Sequence, residues 1–227
     1  SGILTFKRSD ALREVAAAKK RGVTTILAVH GFTEVGSMFG PLANAIFADP
    51  ILGLTIKRVV SIDLPGHGKS SGNGRDSINS YVAWLNIFLD VLKIQRAIII
   101  GHSMGTAIAQ MVALAQPDRA TALVLIGAGA KLRVAPKILE LARNDLAAAA
   151  ELITSLEWGP NVPEQIVRLG RQQLISTRSD VIYGDYRACD GFDVIDRLGD
   201  IRTPTLIISG TADRLTPPKY AGFMAEK

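Results

Sequence analysis

Cysteine is nearly absent: Cys189 stands alone among 227 residues. An intrachain disulfide is therefore excluded, and the redox compartment is only weakly bounded. Histidine is almost as scarce. The three present, His30, His67 and His102, form no group with carboxylates at metal-ligand spacing, so no metal is expected. Aromatic residues make up 6%, too few for a platform on which bases could stack. No apolar run approaches the roughly 18 residues of a membrane span. The N-terminus shows no basic segment followed by an apolar core, so no secretory leader is read there. A cytoplasmic location without membrane association is the expectation. Basic residues outnumber acidic ones by 26 to 21, but they are scattered. The one short run, Lys19-Lys20-Arg21, reads as a solvated helix end rather than a nucleic-acid patch. Neither a G-x-G-x-x-G nor a phosphate-binding G-x-x-x-x-G-K-[ST] pattern follows a strand, so no nucleotide cofactor is implied.

What is present is a globular composition, 48% hydrophobic, with a marked alternation of elements. Ile3–Phe6 is a possible strand, and Asp10–Lys20 reads as an Ala-rich helix stopped by Gly22. Val23–Val29 is an apolar, β-branched strand that runs into His30-Gly31-Phe32. Phe39–Phe47 follows as a helix and Lys57–Ile62 as a strand. After it comes the Gly- and Pro-rich loop Asp63-Leu64-Pro65-Gly66-His67-Gly68-Lys69-Ser70. Ser77 is placed as an N-cap, and Ile78, Tyr81, Val82, Leu85, Leu89 and Leu92 then repeat at helical spacing. A strand at 97–100, a helix at 106–116 ending before Pro117, and a strand at 120–126 complete the run. Strands alternating with helices predict a parallel sheet with helices on both faces. Loops 30–38, 63–76, 101–105 and 127–131 all follow strands and should converge on one edge of it.

From about residue 131 to 200 helical patterns follow one another. Leu146, Ala149, Ile153 and Leu156 mark one, and Ile166, Val167, Leu169 and Leu174 another, with Pro163 in its first turn. Thr205–Ser209 then restores a strand, followed by Gly210-Thr211-Ala212-Asp213. So long a segment between two strands predicts a helical lid over the sheet edge, with ordinary crossover helices as the alternative. The division expected is a core of residues 1–130 and 201–227 with a lid at 131–200.

The stretch that organises the chain is Gly101-His102-Ser103-Met104-Gly105. A G-x-S-x-G between an apolar strand and a helix predicts a nucleophile elbow. The turn is tight enough to strain the serine backbone, and the hydroxyl stands at a helix N-terminus that favours developing negative charge. The same pattern also serves an ordinary Gly-rich strand-to-helix turn with an idle serine.

With these residues in place the chain resembles the α/β-hydrolase family, most of all its lidded bacterial esterase-like members. The resemblance rests on four motifs in family order. They are His30-Gly31-Phe32, the loop from Asp63 to Ser70, the elbow at Ser103, and Asp213 followed by Leu215-Thr216-Pro217-Pro218. It implies Ser103 as nucleophile, the backbone N–H groups of Phe32 and Met104 as the oxyanion hole, and Asp213 as the acid that orients a histidine. The plainer alternative for Asp213 is that it only closes a turn after Gly210. His30 and His67 shape loops in the family. His102 directly precedes Ser103 on a sharp turn, where adjacent side chains diverge.

The resemblance places the catalytic histidine after the acid, and this sequence has no histidine after Asp213. It also ends, at Ala225-Glu226-Lys227, before the family's last strand and helix. Three explanations stand: a shortened form of an active hydrolase, a histidine and a completing strand from a second chain or homo-oligomer, or a hydrolase-like binding protein without triad chemistry. The activity expected is hydrolysis of a small or medium carboxylic ester through an acyl-enzyme, slow in this chain alone. A lactone, a thioester or a C–C bond is the alternative substrate. Trp158 and Tyr183 are expected to join Leu, Ile and Val in an apolar pocket.

Overall fold

The computed structural model describes residues 25–32 and 34–227. The expected elements at Ile3–Phe6 and Asp10–Lys20 lie outside that range, as do Val23 and Thr24 of the first strand. Five strands, β1 (Thr25–Val29), β2 (Arg58–Ile62), β3 (Ala97–His102), β4 (Ala120–Ile126) and β5 (Thr205–Ile208), form one sheet in the order β2-β1-β3-β4-β5. Every pairing among them is parallel.

Strand β1 shows why the central strands read as unbroken apolar runs: it is buried on both faces. Leu27 and Val29 face one cluster, while Ile26 and Ala28 face another. The first cluster packs under helices α3 (Ile78–Val91) and α4 (Met104–Ala115), through Tyr81, Leu85, Ile108 and Val112. The second packs under a 3₁₀ turn at Gly36–Phe39 and helix α1 (Gly40–Ala48), through Phe39 and Ile46. Helix α1 therefore begins one residue later than the sequence suggests, because Phe39 closes the preceding turn. A short helix α2 (Leu52–Thr55), without a legible periodicity, precedes β2.

Ser77 caps α3: its backbone is extended and its Oγ accepts from the Ser80 N–H at 3.3 Å. Ser77→Ala removes that acceptor and should cost about 1 kcal/mol. An unchanged midpoint in urea denaturation would show that the cap contributes nothing.

Between β4 and β5 lie α5 (Pro136–Asn144), α6 (Leu146–Glu157), α7 (Glu164–Ser176) and α8 (Ser179–Asp190). Pro163 is the N-cap of α7 rather than part of its first turn. Helices α5 and α8 are additions to the sequence reading, which recognised the helical character of the segment without resolving them. The four helices share a core of their own, in which Ile138, Ile153, Leu174 and Ile182 are buried.

One polar network joins this helical segment to the sheet. Asp185 of α8 is fully buried; one oxygen accepts from the Tyr81 hydroxyl, and the other pairs with His67 Nε2 at 2.8 Å. Burial works to lower the His67 pKa, yet the hydrogen bond and charge of Asp185 outweigh it and hold the ring above its ordinary value. Helix α9 (Pro218–Ala225) follows β5. No described helix is long and apolar enough to cross a membrane.

Candidate active site

Strand order β2-β1-β3 reverses direction between β1 and β3, and the loops leaving those two strands open a crevice at the C-terminal edge. The elbow stands there. Ser103 has φ 48° and ψ −118°, a conformation L-residues rarely adopt. Its surroundings over-determine that strain. A Cβ at Gly101 would overlap the Gly105 carbonyl, and a Cβ at Gly105 would overlap the carbonyl of Val29. Both positions must be glycine for strand and helix to close on each other. The Ser103 N–H bonds to the Ile126 carbonyl of the next strand at 2.9 Å, which ties the turn to the sheet.

Ser103 and Phe32 line two cavities at once. The first, about 400 Å³, carries acidic groups: Glu34, Glu157 and Asp213 reach it together with His102, with Trp158 in its wall. The second, about 310 Å³, is lined by Leu132, Val134, Ile138, Ile153, Leu156 and Tyr186, and the basic residues Lys131, Arg133 and Arg214 reach it as well. Helical-segment residues therefore face Ser103 on both sides. Met104 is fully buried. Its amide opens α4, where the helix supplies no acceptor for it.

Of the residues expected from the sequence, Ser103, Phe32 and Asp213 meet at the first cavity, while Met104 lines neither cavity. Trp158 joins that wall. Tyr183 does not line either cavity; it packs on the core of the helical segment with the Arg143 guanidinium 5.6 Å from its ring. Tyr186, one helical turn further on, takes the cavity position instead.

Asp213 is held by its own loop. Oδ1 accepts from the Leu215 N–H at 2.9 Å and the Thr216 N–H at 2.7 Å, and Oδ2 accepts from Thr216 Oγ1 at 2.8 Å. Asp63 plays a comparable part in the loop after β2, accepting from the Gly36 and Lys69 N–H groups at 2.7 and 2.8 Å.

None of the three histidines hydrogen-bonds the Ser103 hydroxyl. His30 is buried, and its Nε2 accepts from the Leu64 N–H at 2.9 Å, which leaves Nδ1–H to donate to the Gly31 carbonyl. That bonding requires the neutral ring. Burial, with His67 close by, pushes its pKa down to about 4. His67 is committed to Asp185. His102 turns away from Ser103 and pairs through Nδ1 with Glu34 Oε2 at 2.8 Å. The same Glu34 oxygen accepts from the Gly31 N–H at 2.6 Å. The divergence of adjacent side chains on the sharp turn is what separates His102 from Ser103.

Glu34 and Glu157 have no signal in the sequence, since neither belongs to a motif. Burial, and then the charge of Glu34, push the Glu157 carboxyl up to about 7, with His102 acting the other way. The unfolded value is near 4.5, so the folded chain binds the extra proton between 4.5 and 7. Stability carried by the neutral acid is lost as pH rises through that window. Glu157→Gln should therefore gain on the wild type between pH 5 and pH 8, on the order of 2 kcal/mol by urea denaturation. Parallel stability curves would remove Glu157 from this account.

Comparisons with known proteins come down on the same architecture. Residues 26–227 match the family described as "Alpha/beta hydrolase family". The chain is 33% identical over 123 residues to the dihydrolipoyllysine-residue acetyltransferase component of the acetoin cleaving system of Cupriavidus necator, covering 53% of this chain and 31% of that protein. It spans only about a third of the length of the first curated relatives it matches. A longer alignment, 30% identical over 220 residues, covers 86% of this chain and 73% of the 2-hydroxy-6-oxononadienedioate/2-hydroxy-6-oxononatrienedioate hydrolase of Paraburkholderia phymatum. Among solved structures, a thermophilic esterase superimposes with a TM-score of 0.72 at 29% identity, over 88% of this chain and 75% of the other.

Proposed function

The chain belongs to the alpha/beta hydrolase family, and on that premise we propose that it is a serine hydrolase of carboxylic esters acting through an acyl-enzyme on Ser103. The observation that carries this reading is the positive-φ backbone of Ser103, held between two cavities that it lines at once. An idle serine in a strand-to-helix turn has no need of that conformation. The cavity walled by Ile138, Ile153 and Leu156 would take the acyl chain and the one beside Asp213 the alcohol. The similarity to a thermophilic esterase supports an ester as the substrate.

In this reading Ser103 Oγ attacks the ester carbonyl carbon. The oxyanion is received by the N–H groups of Met104 and Phe32, one such donor being worth about 3 kcal/mol in the transition state. The serine proton passes to the leaving alkoxide, which departs as the alcohol; water then adds to the acyl carbonyl, releasing the acid and returning a proton to Ser103 Oγ. Asp213 is the acid that would orient a base. Helices α5 to α8 act as the lid that excludes water, and small or medium acyl groups fit the cavity walled by Ile138, Ile153 and Leu156. The base is the missing part within these 227 residues, because each histidine is engaged elsewhere. This chain alone should therefore turn esters over slowly. A panel of p-nitrophenyl esters of increasing acyl length tests the assignment of that cavity to the acyl chain. A preference independent of chain length would overturn it.

A further inference from the structure

Strands β4 and β5 each hand the chain to a loop that brings an arginine to the second cavity. Arg133 follows β4, and Arg214 follows β5 directly after Asp213. Both line that cavity, as Ser103 does. Both are exposed, and neither has a hydrogen bond or an ion pair among the described residues. Their backbones are nonetheless fixed. Arg133 lies between Leu132, whose N–H bonds the Phe192 carbonyl at 3.4 Å, and Val134, whose N–H bonds Asp190 Oδ1 at 3.0 Å. Arg214 lies between Asp213 and Leu215, whose N–H donates to Asp213 Oδ1 at 2.9 Å. Lys131 also lines the cavity, but its ammonium is paired with Asp193. Asp193 also feels the charge of Arg133, and Lys131 already offsets it. No aspartate or glutamate is among the described residues that line this cavity. The first cavity is the reverse. Glu34, Glu157 and Asp213 line it without a lysine or arginine, and its histidine, His102, is paired with Glu34. The two cavities that meet at Ser103 therefore differ in the sign of their charged groups.

We propose that the acyl half of the substrate carries a free carboxylate, received by Arg133 and Arg214, so that half-esters of dicarboxylic acids are preferred over their uncharged diesters. The inference rests on the reading of the cavity walled by Ile138, Ile153 and Leu156 as the acyl site. That wall suits a methylene chain, and the arginines suit a charge at its far end. A guanidinium presents paired N–H donors in the geometry of a carboxylate, stays charged at any working pH, and bonds an anion more strongly than a neutral acceptor. The gain is moderate, because exposed arginines are screened by water and salt. The arrangement also sets a direction. A carboxylate on the alcohol half would lie beside Asp213 and Glu34, where like charges repel. The anion is therefore welcome on one side of the ester bond and opposed on the other.

The test needs no turnover. Monomethyl and dimethyl esters of glutaric, adipic, pimelic and suberic acids are titrated calorimetrically, at low salt, into the full chain carrying Ser103→Ala. At least one monomethyl ester should bind about fivefold more tightly than its dimethyl ester, and the margin should shrink as salt is added. Arg133→Gln with Arg214→Gln in the same chain should abolish it. The hexanoyl ester of glycolic acid, which carries its carboxylate on the alcohol half, should bind no better than ethyl hexanoate. Equal binding of monomethyl and dimethyl esters at every length would overturn the proposal, as would no measurable binding of any ester. So would a preference that survives both substitutions, or an equal gain for hexanoyl glycolate, which would show only a general attraction of anions to a basic chain. The esterase reading is judged separately, by covalent labelling of Ser103 in the unmodified chain. Labelling at Ser103 with no preference for the half-ester would sink the arginine proposal alone. A half-ester preference without labelling would sink the nucleophile and leave Arg133 and Arg214 standing as binding residues.

Discussion

A fluorophosphonate is expected to label the wild-type chain at Ser103 alone, slowly, and to leave Ser103→Ala unlabelled. The label reports nucleophile and oxyanion hole together, because phosphonylation passes through a charged adduct that the Met104 and Phe32 amides would stabilise. Slowness follows from geometry: no imidazole reaches the hydroxyl, and a serine keeps its proton at neutral pH without a base. For the same reason turnover is a poor readout. Residues of a triad act as a unit, and removing one costs nearly as much as removing all. With the base absent, Ser103→Ala should change the slow ester hydrolysis far less than the roughly 10⁶-fold seen where a triad is complete. The cavity bounded by Asp213 and His102 is large enough, at about 400 Å³, to admit free imidazole. Added imidazole should raise the labelling rate on the wild type by about tenfold or more, with no effect on Ser103→Ala. Rapid stoichiometric labelling without imidazole would overturn the claim that the base is missing. No label on Ser103 under either condition would remove it as the nucleophile.

The largest loss of stability is expected from Asp185→Ala, on the order of 3–5 kcal/mol. The substitution leaves the Tyr81 hydroxyl without its acceptor and a His67 ring without its counter-charge, all three groups being buried. The cost exceeds that of an exposed ion pair because water cannot reach either orphaned partner. It should be read by urea denaturation, and a midpoint shift equivalent to less than 1 kcal/mol would show that the network is not cooperative. Exposed pairs such as Lys137 with Glu140, both more than half exposed, serve as the contrast, since breaking them should cost less than 1 kcal/mol. Asp185 also bears on the site indirectly. It anchors α8 to the loop after β2, and α8 carries Tyr186 next in sequence.

Much of the scaffold is legible in local sequence for a local reason. The β-branched run before Gly31, the apolar run before Gly101 and the helical spacing after Ser77 each state their element within a few residues. The elbow is partly local: Gly101 is required by backbone atoms four and five positions on, while Gly105 is required by the carbonyls of Val29 and His30 from the adjoining strand. The correction at Tyr183 has a different origin. Helical periodicity shows that residues 183 and 186 share a side of α8, but not which of them meets the cavity and which meets α5.

What the sequence determined by itself is the sheet, the strained serine and the loops that end beside it. Propensity, periodicity and turn chemistry act over short spans, and this chain meets them consistently. The tertiary structure alone decided the chemistry around that serine. Glu34 and His102 are 68 residues apart, and His67 and Asp185 are 118 apart. No periodicity links positions so distant, and only the closing of sheet and helices sets which side chains face Ser103 or one another. Packing thereby commits every histidine away from the nucleophile.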